Sequence, residues 1–136
     1  DRDALSRVEA LWSALGARVS EMDAAHHDEV LAATSHLPHV LAFTLVDTLA
    51  RMAERTEIFE YAAGGFADFT RIASSNPDLW GDIVTANHDA ILPVLDRYIG
   101  DLEAVRTAIA AGDRATLATT FGQAKTARDG FAAGRG

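Results

Sequence analysis

The 136-residue chain contains no cysteine. That excludes a disulfide framework, a thiolate zinc site and a cysteine nucleophile, and it fits a reducing, cytoplasmic setting. Positive charge is also scarce: 12 Lys and Arg stand against 20 Asp and Glu, for a formal net charge of −8. Phosphate binding needs a basic face, so no nucleic-acid partner is expected. No continuous apolar run has the length of a membrane span. The longest candidate, LPHVLAFTLV, is broken by Pro38, His39 and Thr44, so no membrane partner is expected either. No signal peptide is visible in these residues. The Walker and GxGxxG patterns are absent, which leaves no glycine loop to cradle a phosphate. Internal repeats and low-complexity segments are absent as well.

What is present is an apolar fraction of 49%, enough for one globular domain with a modest core. Leu5, Val8, Leu11, Trp12 and Leu15 recur at helical spacing, and Gly16 closes that helix as a C′ residue. Residues 17–22 alternate, which predicts at most one short strand or a merely extended segment. Asp23 is an N-cap for the second helix. From Glu29 to Ala53, 15 of 25 residues are apolar and spread around the wheel, the pattern of a central helix. Pro38 lies inside it and predicts a kink. Gly64 and Gly65 interrupt the next helical stretch. Asn76, Pro77 and Asp78 make a strong helix start. Ile91, Leu95, Tyr98, Leu102, Val105 and Ile109 then alternate spacings of four and three, a heptad-like seam for a neighbouring helix. Pro93 predicts a second kink, Asp113 caps the last helix, and the tail from Asp129 is expected to be loose. The expected fold class is all-α, with five or six helices, two of them long and proline-kinked.

Several constellations could carry chemistry. His36 and His39, in SHLPH, are either hydrogen-bonded core histidines, ligand-binding groups, or, with His27 and oxygen from Asp28 or Glu29, part of a metal site. The nine-residue gap between His27 and His36 places them on opposite sides of a straight helix, so a shared metal would need a break to reunite them. Arg71 sits among Phe66, Phe69 and Ile72, either paired with Asp68 or held ready for an anion. Trp80, just inside a capped helix start, reads as core. Asn87, His88 and Asp89 read as a solvated polar face.

In combination, the segments EALWSALGARVSEMDAAHHDEVLAATSHLPHVLAFTLVD and GGFADFTRIASSNPDLWGDI resemble the C-terminal helical domain of the prephenate/arogenate dehydrogenase family. The match runs over roughly residues 8–98, and the order HD, SHLPH, GGFxDFTRIAxSxPxLW is specific. The resemblance implies NAD(P)-linked oxidative decarboxylation in tyrosine biosynthesis, with a small anionic substrate, prephenate or arogenate. Tyrosine or 4-hydroxyphenylpyruvate are possible further ligands. It implies Arg71 as anchor of a substrate carboxylate, and Ser35, His36 and His39 lining the pocket, with His39 touching the substrate side chain. His27 and Trp80 stand beside the pocket, and Gly64 approaches the site of a neighbouring subunit. It implies an intertwined homodimer. It also implies a dinucleotide-binding domain, carrying NAD or NADP and the catalytic residues, of which residues 1–22 would be the last elements. Residues 23–136 would be the helical dimerisation and substrate-binding domain. Since the chain begins at Asp1 rather than Met, it is expected to be a piece of that larger enzyme, binding no cofactor and inactive alone. The alternative is a free-standing all-α ligand- or metal-binding bundle using His27, His36 and His39.

Overall fold

A computed structural model of the chain describes residues 1–134. It is all-α, and among the described residues there is no strand. Helix α1 (Arg2–Ala14) is capped by the Asp1 carboxylate, which accepts from the backbone N–H groups of Asp3 and Ala4. It ends at Gly16, whose φ of 84° is open to glycine at no steric cost. There the Ala17 N–H reaches back to the Trp12 carbonyl and the Gly16 N–H to that of Ser13, leaving fewer terminal carbonyls bare. Residues 17–23 are irregular, so the short strand does not form. A strand's backbone groups need a partner strand, and the described residues offer none.

Helix α2 runs from Ala24 to Ala50 under an Asp23 cap that accepts from the His26 N–H at 2.9 Å. It holds a π-helical turn, Ala32–His36, closed by the Leu37 N–H donating to the Ala32 carbonyl. Pro38 follows at once. A proline has no N–H to give, so the return from five-residue to four-residue pairing occurs where a donor is missing in any case. By length and mean hydropathy α2 does qualify as a membrane-crossing helix, contrary to the run-length expectation. The two histidines and Pro38 interrupt the apolar run without stopping the helix. Its packing against several other helices gives it the place of a central helix instead.

Helices α3 (Arg55–Glu60) and α4 (Gly64–Thr70) come next, and α4 passes into a 3-10 turn, Arg71–Ser74. The chain breaks at Tyr61–Ala63, and Gly64 is the first helical residue rather than the interruption itself. Helix α5 (Pro77–Ala86) starts at Asn76, whose side chain accepts from the N–H groups of Asp78 and Leu79. Helix α6 (His88–Ala110) carries Pro93 without ending, and α7 (Arg114–Ala133) starts at the Asp113 cap. Among the described residues, seven helices thus replace the expected five or six, because short breaks near Met52, at Tyr61–Ala63 and at Asn87 each start a new one. The tail expected to be loose is helical to Ala133; Arg135 and Gly136 lie outside the described residues.

The C-terminal half of α2 packs on α4 and the 3-10 turn, and its π-turn packs on α6, while α6 also meets α5 and α7. The resulting core is small: Ala32, Leu37, Ala42, Ile91 and Ala108 are its buried apolar residues. The seam on α6 is covered at one end and bare at the other, from Ile91, 2% exposed, to Ile109, 62% exposed.

Candidate functional site

The π-turn and the start of α5 bring three rings together. The His39 ring stacks on Trp80 with centroids 3.4 Å apart and planes 15° apart. His36 meets Trp80 edge-on, centroids 6.2 Å apart and planes at 75°. Residues three apart on a helix share a face, so His36 and His39 reach one indole together. The Asn76 cap and Pro77 fix where α5 begins, and so where Trp80 stands.

Each ring is held by a polar partner. The His39 Nδ1 lies 2.9 Å from the Ser35 carbonyl oxygen, which can only accept, so Nδ1 carries a proton. The His36 Nδ1 lies 3.0 Å from the Asn87 Nδ2. That same amide nitrogen donates to the Asp28 carbonyl at 2.9 Å. His36 is 8% exposed, and burial pushes its pKa down. The Asp28 charge acts against this, and His39 and His27 act with it. His27 borders the network through its Nδ1, 3.1 Å from the Asp28 Oδ1. Beside the stack opens an apolar cleft of about 340 Å³, lined by His39, Val40, Phe43, Thr44, Pro77, Trp80, Gly81, Val84 and Thr85.

Of the expected site residues, His36, His39 and Trp80 are brought into contact, Ser35 holds His39 through its carbonyl, and His27 joins through Asp28. The ring contacts and hydrogen bonds of this cluster do not include Arg71 or Gly64. Arg71 opens the 3-10 turn, exposed, and among the described residues it forms no ion pair with Asp68 or any other carboxylate. Around Gly64 there is open space: a Cβ added there would meet nothing within 4 Å in this chain.

One expectation needs correction, at Asn87. Among the described residues no three His, Asp or Glu side chains are grouped to hold a metal ion. The His36 Nδ1 faces an amide and the His39 Nδ1 a carbonyl, which leaves neither of these nitrogens free as a ligand. Asn87 is the residue that sequence reasoning misses. Its neighbours His88 and Asp89 do form the expected solvated face, exposed and paired with each other at 3.0 Å. Asn87 instead turns inward at the α5–α6 junction, to partners 51 and 59 positions away. An asparagine between two helical patterns is the available signal, but it marks a boundary and not a partner.

A helical subunit with an imidazole–indole cluster and little core of its own is therefore the class of protein in hand. Residues 23–123 match the family model described as prephenate dehydrogenase, dimerization domain. The chain belongs to the prephenate dehydrogenase family. It is 46% identical over 127 residues to a cyclohexadienyl dehydrogenase of Zymomonas mobilis, covering 92% of this chain and 43% of that protein. It is 37% identical over 132 residues to a prephenate dehydrogenase of Bacillus subtilis, covering 96% and 36%. Among solved structures, the prephenate dehydrogenase of Aquifex aeolicus in complex with hydroxyphenyl propionate and NAD+ superimposes with a TM-score of 0.86. It is 34% identical, over 96% of this chain and 46% of that one. The arogenate dehydrogenase of Synechocystis gives 0.83 at 26% identity, over 96% and 48%. The chain spans less than half the length of these relatives.

Proposed function

We propose that this domain supplies the substrate-binding half and the subunit interface of an NAD(P)-linked prephenate or arogenate dehydrogenase, an enzyme of tyrosine biosynthesis. The observation that carries the reading is the His36–Trp80–His39 cluster beside an apolar cleft, in a chain of this family. A flat six-membered ring with carboxylate and hydroxyl groups matches it: an indole and apolar walls for the ring, imidazoles for the polar groups. Arg71 is exposed and has no carboxylate partner among the described residues, which supports reading it as the anchor of the substrate's carboxylate, for which its planar fork is suited. His27 and Ser35 act behind the cluster, and Gly64 serves the site of the neighbouring subunit.

The nucleotide is assigned to a separate unit and not to this chain. Among the described residues there is no strand leading into a glycine-rich turn, so no step is assigned through NAD(P). Residues 1–22 are read as the last elements of a separate dinucleotide-binding unit, and residues 23–136 as the helical domain. The chain by itself should reduce no NAD with prephenate present. The deciding experiment is calorimetric titration of the chain with 4-hydroxyphenylpyruvate, with tyrosine as a second ligand. Saturable binding that weakens about tenfold in Arg71→Ala and in His39→Ala supports the reading. Absence of binding at millimolar ligand, or full affinity in both variants, overturns it.

A further inference from the structure

We propose that Asn87 is a positioning residue that fixes the tautomer of His36, so that the two histidines offer opposite hydrogen-bonding roles at the site. The Asp28 carbonyl can only accept, which identifies the Asn87 atom facing it as the amide nitrogen. That nitrogen has a second hydrogen, and the atom in its path, 3.0 Å away, is the His36 Nδ1. A protonated Nδ1 would set one donor against another. The lone pair of His36 is therefore on Nδ1 and its proton on Nε2. His39 is the mirror case: its proton is on Nδ1, held by the Ser35 carbonyl, and its Nε2 is free to accept.

On this assignment the Nε2 atoms are the ones left to meet a ligand, His39 from the wall of the cleft and His36 from behind Trp80. Among the described residues no buried side-chain nitrogen or oxygen lacks a partner. Among the described residues neither Nε2 has a hydrogen-bond partner, so neither is fully buried. The pair then offers one N–H donor and one lone pair within a single helical turn, flanking one indole. A ligand bearing an acceptor and a hydroxyl donor is complementary to that pair, which rests on the substrate reading proposed above. The charged groups around His36 are Asp28 and His27 on α2 and its neighbour His39; on α6 the first turn carries His88 and Asp89, paired with each other.

The test is a long-range proton–nitrogen correlation spectrum of the chain labelled with 15N-histidine. The wild-type spectrum should show His36 protonated at Nε2 and His39 at Nδ1. Asn87→Ala should leave His36 as a mixture of tautomers and weaken 4-hydroxyphenylpyruvate binding about fivefold, the equivalent of one hydrogen bond. Asn87→Asp should reverse the pattern, drawing the His36 proton to Nδ1 and moving its titration upward. A residue that merely supported the fold would change the melting temperature and leave the tautomers alone. A wild-type His36 protonated at Nδ1, or unchanged tautomers in Asn87→Asp, overturns the assignment, and the first readout needs no variant to fold. Adding 4-hydroxyphenylpyruvate to the wild-type sample separates the two readings. Intact tautomers with no response from His39 sink the substrate reading and leave the Asn87 assignment standing.

Discussion

His36 is the residue whose environment departs most from what its type prefers. Burial disfavours its charged form, and its Nδ1 is committed to accepting from Asn87. Its pKa in the folded chain is accordingly below the ordinary value of 6.5. The unfolded chain then binds the proton more readily, so stability rises with pH across this window. The contribution is complete above 6.5 and is lost as pH falls from there through the lower folded value. Thermal unfolding followed from neutral to mildly acidic pH should therefore show a falling melting temperature. The fall should be shallower in His36→Gln, whose amide oxygen can still accept from Asn87 but does not titrate. The exposed pairs His26–Glu29, His27–Asp28 and His88–Asp89 are the same in both proteins, so the comparison isolates His36. Equal slopes for the two proteins would show that His36 is protonated alike in both states.

Among the elements, the junction of α6 and α7 is set by one glycine. Gly112 has a φ of 64°, and the Asp113 N–H beyond it reaches the Ala108 carbonyl at 2.9 Å. A side chain at that φ costs about 1 kcal/mol, because its Cβ crowds the following carbonyl. A Cβ there meets nothing else within 4 Å, so the cost is purely conformational. Gly112→Ala should lower the unfolding free energy by about 1 kcal/mol in a urea titration, with an unchanged slope. A larger loss would mean that the α6–α7 turn touches something outside this chain. This junction is plain in the sequence, as are the caps at Asp23, Asn76 and Asp113, because capping is local chemistry written in neighbouring residues. The all-α class and the central place of α2 are legible for a related reason, since apolar periodicity reports how much of a helix needs cover. The π-turn is not legible. It arises from how Pro38 and the packing of α2 on α6 divide the backbone donors, and that is not a local property. Asn87 escapes for the same reason, its partners lying half the chain away. His36, His39 and Trp80 can be named from the quoted motifs, but their stack cannot, since it depends on where α5 crosses α2.

At the level of the molecule, the exposed area is the fact to explain. The chain exposes 10619 Å². A compact monomer of 14.5 kDa should expose roughly 6,900 Å², about 3,700 Å² less. Much of the surplus is apolar. Leu11 on α1 and Leu15 just after it, Ile99, Leu102 and Ile109 on α6, and Phe121 and Phe131 on α7 are all at least 45% exposed. Leu102 also borders an open apolar groove of about 300 Å³ with Leu41, Leu45, Phe69 and Tyr98. An area of that size suits an obligate, interwound partner better than a transient one, and a second copy is the partner expected of a dimerization domain. Folding and association should then be one event. The melting temperature of the wild-type chain should rise with protein concentration, and light scattering at micromolar concentration should give twice the chain mass. Leu102→Asp, which places a charge in the apolar groove, should lower both the dimer fraction and the helical circular dichroism signal together. A monomer at micromolar concentration, with a melting temperature indifferent to dilution, would rule out the interwound dimer. The bare half of the α6 seam would then have to be covered by another part of a longer protein.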